Sequence, residues 1–301
     1  MNGYRHPHYV YSLQEFGTPL HLPHADGWIL QRQIPGGFGN DAMGCYPLFT
    51  CANWSFLPRD LEDLPDNLVS VVLVTDPFGD FTLSDLQKGF DVVSAFKEHF
   101  VVDFQRSDAG IISKHHRYYT RRALAEVEVE VCREPADFFY QWHALYSVLV
   151  KRHRIMGIRA FSKASFALQL CIPGTVIFRA THLGETVSAH WYFEQNEVAY
   201  SHLAASSPAG YACGAAYALH WYAIDYFRDR VRHLDLGAGL GAGADRAADG
   251  LTQFKQGWAN DTRTVYLCGR VVHPERYKEI VHARKVAQSD YFPLYRKDEF
   301  T

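Results

Sequence analysis

The chain has 301 residues, 48% of them hydrophobic and 15% aromatic, enough to fill two domains of about 150 residues each. Its formal net charge of -3 excludes a global basic field for nucleic acid, although a local basic patch would suffice. The six cysteines, Cys45, Cys51, Cys132, Cys171, Cys213 and Cys268, form no CxxC pair, which excludes a disulfide scaffold and predicts reduced core thiols in a cytoplasmic protein.

The opening residues, 1–10, are polar and histidine-bearing, unlike a signal peptide. No apolar run reaches the about 18 residues that a membrane span requires. His6 and His8, like His115 and His116, are too local and too far from acidic residues to suggest a metal site.

Taken in order, residues 28–34 alternate aromatic and aliphatic side chains before Pro35-Gly36-Gly37 and read as a strand leaving into a loop. Residues 44–54 read as a second, aromatic-rich strand. Leu57, Leu61, Leu64 and Leu68 repeat at helical spacing, interrupted by Pro65, so a short helix is expected. The run 69–75 is continuous enough for a buried central strand. Leu83, Leu86, Phe90 and Val93 then predict a helix over 82–96, followed by a strand over 99–104.

Residues 113–124 hold the one basic cluster, with Arg117, Arg121 and Arg122. Its plain reading is a solvated helix face; its functional reading is a helix whose planar guanidiniums grip phosphate. A period-two strand follows over 126–131. Phe138, Trp142, Leu145 and Leu149 then mark an amphipathic helix over 135–152, with a short second helix over 162–165. Four strands are expected next, over 166–172, 176–181, 186–193 and 197–204, joined by short Gly and Asn turns in an antiparallel meander. A helix over 214–228 completes the series.

The stretch 231–258 organises the rest. A strand around Leu234 and Leu236 enters alternate glycines at Gly237, Gly239, Gly241 and Gly243 before Phe254 and Lys255. One reading is the glycine loop of a Rossmann-type methyltransferase. Its position opposes that, because such a sheet needs several strand-helix units beyond the loop. The other reading is a late strand, a glycine loop and a turn that carries Lys255 to a crevice.

Three segments carry a resemblance: Ala-x-Leu-His-Trp-x-Ala-Ile near 218–224, Asp235-Leu-Gly-x-Gly, and Gly-Leu-x-x-Phe-Lys-x-Gly-Trp over 250–258. Together they resemble the Fem peptidyltransferases of the GNAT acyltransferase superfamily, densely over 116–272 and thinly before. The resemblance implies an α/β (α+β) fold of two tandem GNAT-like domains with mixed central sheets flanked by helices. It implies a degenerate first domain over 1–125 and a catalytic domain over 126–301.

It also implies an N-acyltransferase with no tightly bound cofactor, whose donor is aminoacyl-tRNA or, alternatively, acyl-CoA. The acceptor would be an amine of a small metabolite or cell-wall precursor. Gly210 and Gly214 stand ahead of a helix, but no Arg or Gln precedes them as in an acetyl-CoA loop, so both donors stay open. Donor contacts are expected from Arg117, Arg121, Arg122, Ser207, Gly210 and Gly214.

Lys255 matches the motif lysine and would place positive charge on the developing oxyanion or a donor phosphate; its plain alternative is a surface lysine packed across Phe254. His202 and Asp249 are candidate acid-base partners. Tyr200, His190, Asp245 and Trp258 are candidate acceptor contacts. A non-catalytic binding protein that keeps the fold is the remaining alternative.

Overall fold

The computed structural model describes residues 1–106, 112–239, 250–297 and 299. The chain forms two compact units: a first of Met1–His6, Lys97–Ile155 and Ser162–Thr264, and a second of Pro7–Phe96, Met156–Phe161 and Val265–Thr301. They interleave along the sequence, and the cut expected between residues 125 and 126 falls inside the first.

In chain order the elements begin with α1 (Pro7–Tyr11), β1 (Thr18–Leu22), β2 (Gly27–Gln33) and β3 (Asn40–Gly44). Then come α2 (Leu57–Glu62), β4 (Leu68–Val74), α3 (Leu83–Gly89) and β5 (Val92–Asp103). The middle holds α4 (Lys114–Leu124), β6 (Glu128–Val131), α5 (Phe139–His153) and α6 (Lys163–Gln169). There follow β7 (Thr175–His182), β8 (Glu185–Gln195), β9 (Val198–Ser206), α7 (Pro208–Ala212) and α8 (Ala215–Phe227). The chain closes with β10 (His233–Ala238), α9 (Gly250–Gln256), β11 (Asp261–Val271) and α10 (Pro274–Ala283).

The first unit is a mixed sheet in which β6, β7, β8 and β9 form an antiparallel meander. Strand β10 then pairs parallel to β9 and antiparallel to β5. One face of this sheet presents Phe178, Tyr192 and Leu234 to α8, with Ala218, Leu219 and Phe227 sealing the core. On the other face Trp191 meets Trp142 of α5 and Phe166 of α6. Each such buried side chain contributes about 1.5–3 kcal/mol against an exposed reference.

The second unit repeats the scheme on a smaller scale. Strands β1, β2 and β3 are antiparallel, β4 runs parallel to β3, and β11 closes antiparallel to β4. Its main core joins Ile29, Phe49, Val71 and Leu73 to Leu57, Leu61 and Leu86. Ile34, Val69, Ile280 and Tyr295 pack on the other side.

Several local expectations are corrected. Gly44 ends β3, and residues 45–54 form no strand of their own: Pro47 has no N–H for a ladder, and the run makes isolated bridges at Phe49↔Thr75 and Gly27↔Cys51. The helix expected over 82–96 is capped by Thr82 and Asp85 but spans only Leu83–Gly89; the β-branched pair at 92–93 already belongs to β5. Residues 166–172 are no strand, because Ser162 caps a helix that buries Ser165, Phe166 and Gln169 at helical spacing. The meander therefore has β7, β8 and β9 after that helix. Lys255 sits on α9 and not on a turn.

Candidate active site

The parallel partners β9 and β10 pair through His233↔Val198, Leu234↔Ala199 and Asp235↔Tyr200. Both strands then run on, β9 to Ser206 and β10 to Ala238, with no pairing between them among the described residues. A split between parallel strands leaves backbone groups open to a ligand.

Asp235 shapes the β10 side of this split. It is 2% exposed, accepts from the His99 Nδ1 at 2.8 Å, and accepts from the Gly237 N–H at 2.8 Å. That turn holds Gly237 at φ +75°, a left-handed conformation that costs an L side chain about 1–2 kcal/mol. The turned chain offers the Ala238 carbonyl to Lys255, whose Nζ donates to it at 2.6 Å. A Cβ on Gly237 would lie 3.2 Å from the same Nζ. The half-buried lysine is thus tethered beside the opening and not directed into bulk water.

Beneath Lys255 lies a group of rings from α4, α8, α9 and β8. His220 of α8 stacks on Trp258 at 5.6 Å, meets Phe254 edge-on at 4.9 Å, and faces His190 at 4.5 Å. Its Nδ1–H donates to the Ala216 carbonyl at 3.1 Å, which fixes the tautomer and leaves Nε2 as an acceptor. Burial, helped by the charges of Lys255 and His116, pushes the His220 pKa down to about 3, so it is neutral at pH 7. Burial also lowers the His190 pKa, with His220 adding to it. His190 Nδ1 and Trp258 Nε1 are both buried and lack hydrogen-bond partners, an uncommon state for buried polar nitrogens.

His116 ties α4 to α9. Its Nε2–H donates to the Phe254 carbonyl at 2.9 Å, and its Nδ1 accepts from the Ser113 hydroxyl at 2.7 Å. Ser113, His115, His116, Tyr217, Phe254 and Gly257 line a surface cavity of about 520 Å³ here.

The structure gathers some expected site residues and separates others. Lys255, Trp258 and His190 share the ring group around His220. His202 does not: it lies on the opposite sheet face, 8% exposed, accepting from Tyr4 Oη at 3.1 Å and donating to Gln169 Oε1 at 3.1 Å. Its pKa is pushed down to about 3 by burial, so it is a satisfied core histidine and not the base facing Lys255. Tyr200 shares that face, packed edge-on against Tyr4 at 5.5 Å. Neither strand neighbour reaches the ring group, because successive side chains point to opposite faces.

Ser207 caps α7 by accepting from Gly210 N–H at 3.2 Å. Gly210 is a close-approach position, since a Cβ there would collide with the Val187 carbonyl. Gly214 takes the left-handed turn ahead of α8. Arg117, Arg121 and Arg122 face solvent on α4, whose other side buries His116, Thr120 and Ala123. Asp245, Asp249, Gly241 and Gly243 lie outside the described residues. The residues that sequence reasoning missed are His220 and His116; His220 stood inside the 218–224 motif, and its spacing from Phe254 and Trp258 was the available signal.

No protein-family model matches the chain, and a search of curated proteins finds none similar in sequence. Among solved structures it is similar to FemX, with TM-score 0.62 and 12% identity over 84% of this chain and 86% of FemX. It is similar to the C-terminal DUF2156 domain assigned to a lysylphosphatidylglycerol synthetase of Agrobacterium fabrum, with TM-score 0.64 and 12% identity over 94% and 92% of the two chains. L-PGS from Bacillus licheniformis gives TM-score 0.61 and 14% identity over 95% of this chain and 98% of that one. The chain thus shares the fold of FemX and of L-PGS.

Proposed function

We propose that this chain is an N-acyltransferase that moves an aminoacyl group from aminoacyl-tRNA to an amine of a small metabolite or cell-wall precursor. The observation that carries the reading is Lys255 tethered to the Ala238 carbonyl beside the unpaired stretch of β9 and β10. In the reaction the amine attacks the ester carbonyl, forming the C–N bond as the carbonyl oxygen becomes an oxyanion. Collapse breaks the ester C–O bond, and the proton lost by nitrogen is balanced by the one gained at the ribose oxygen.

Lys255 supplies positive charge to the oxyanion or to a donor phosphate, in a setting drier than water. His220, held neutral, accepts a hydrogen bond from the incoming amine and orients it; storing the proton is not its role. The exposed Arg117, Arg121 and Arg122 offer planar donors to the phosphates of the RNA. The likeness in fold to FemX and to a lysylphosphatidylglycerol synthetase domain, an enzyme named for a lysyl-bearing product, supports an aminoacyl donor.

An acyl-CoA donor is the second reading, favoured by the left-handed turn at Gly214 ahead of α8. Thermal unfolding in the presence of a charged tRNA pool or of acetyl-CoA separates the two. The proposal expects stabilisation by tRNA that fades steeply with salt. Stabilisation by acetyl-CoA alone would replace the tRNA reading, and none by either would leave a binding protein without this donor chemistry.

A further inference from the structure

We propose that the second unit carries a separate binding site for an oxyanion, a carboxylate or phosphate ester on a small apolar body, in the cavity over Arg32. That cavity, of about 340 Å³, is lined on its polar side by Arg32, Arg159, Arg296 and Glu299 and on its apolar side by residues including Phe16 and Ile158.

Two buried guanidiniums there share two carboxylates. Arg296 holds Asp41 through Nε at 2.5 Å and Nη2 at 2.8 Å, and donates to the Gln33 carbonyl at 2.8 Å. Its Nη1 reaches Glu299 Oε1 at 2.8 Å. Arg32 is left with the remainder. Its side chain is only 10% exposed, its Nη1 lies 3.3 Å from the same Glu299 oxygen, and its Nε stands 3.6 Å from Asp41, too far for a hydrogen bond. That Nε is buried with this ion-pair contact and no hydrogen-bond partner.

A buried arginine does not escape this by losing its proton. Burial, with repulsion from Arg296, opposes its charge more than Asp41 and Glu299 support it. The enclosed Nε is out of a ligand's reach, but a planar or tetrahedral oxyanion in the cavity could meet the outer edge of the Arg32 guanidinium, where Nη1 has only its long contact to Glu299. Glu299, its side chain 28% exposed and shared between both arginines, is the internal carboxylate that such a ligand would compete with. The apolar lining then selects an anion that carries a hydrophobic body rather than a bare ion.

The site is independent of the donor reading and is tested without turnover. Phenyl phosphate, benzoate and inorganic phosphate are titrated into the full chain calorimetrically, at an ionic strength held constant with chloride. The proposal expects saturable binding of phenyl phosphate or benzoate, the stronger of the two naming the headgroup, with inorganic phosphate weaker than phenyl phosphate. Arg32→Met lowers the affinity about tenfold or more, whereas Glu299→Gln raises it by removing the competing charge. Should Arg32→Met fail to fold, the Glu299→Gln arm decides. No saturable binding by wild type and Glu299→Gln, affinity unchanged by Arg32→Met, or affinity not raised by Glu299→Gln would each overturn the site and leave a purely structural ion cluster.

Discussion

The two units build the same parallel strand pair and finish it differently. In the first, β9 and β10 part after Tyr200 and Asp235. In the second, β3 and β4 pair as far as Met43↔Val72 across a register shift between Asn40 and Ala42, and Phe49 then stitches the gap, donating to the Val74 carbonyl at 2.7 Å and accepting from Asp76 at 2.9 Å. The Phe49 ring, 0% exposed, packs edge-on against Trp54 at 5.5 Å and fills the space. The same strand pair is therefore left open beyond its last partners in one unit and closed by the Phe49 backbone and ring in the other.

The largest expected effect breaks the closed seam. Phe49→Ala should cost about 3–5 kcal/mol, read by denaturant unfolding, while leaving transfer rates intact wherever the protein is still folded. A loss of transfer in folded protein would mean that the closed seam takes part in the chemistry. On the open side, Gly237→Ala should cost about 1–2 kcal/mol from left-handed strain and crowd the Lys255 amine. Its transfer rate should fall, whereas Gly250→Ala, with nothing among the described residues within 4 Å of the added methyl, serves as the neutral comparison.

Acid sharpens the contrast between the units. The histidines whose pKa burial lowers, His116, His143, His190, His202, His220 and His233, all belong to the first unit. Their folded pKa values lie below the unfolded value of about 6.5, so their contribution is present above that pH and lost as pH falls. For His202 and His220 the loss continues toward about 3. Each should remove up to about 1.4 kcal/mol per pH unit within that window. Hydrogen exchange at pH 7 and pH 5 should find the first unit loosening more than the second, and His202→Gln should flatten the slope; equal loosening would contradict the assignment.

Much of this fold was legible locally. The apolar run of β4 and the amphipathic helices α5 and α8 announce themselves by period and length. Residues 166–172 did not, because a short apolar run fits a strand or a buried helix equally until the Ser162 cap decides. Lys255 was legible through its motif, but His220 reads in sequence as one more apolar-helix residue. Only the packing of Phe254 and Trp258 beside it reveals its place. The parting of β9 from β10 is set by pairing partners far apart in the chain, and no local pattern encodes it.

The smallest expected effect concerns the outer face of the first unit. If α4 contacts RNA phosphate, Arg122→Gln should lower the slope of log affinity against log salt by about 1, measured with a charged tRNA pool. An unchanged slope would return that face to plain solvation.

The most direct test of the open seam replaces its tethered cation. Aminoacyl hydroxamate formation from a charged tRNA pool, with hydroxylamine as the amine and the uncatalysed rate subtracted, should fall on the order of 100- to 1,000-fold in Lys255→Met, with circular dichroism unchanged. A folded Lys255→Met protein that turns over near the wild-type rate would contradict the account.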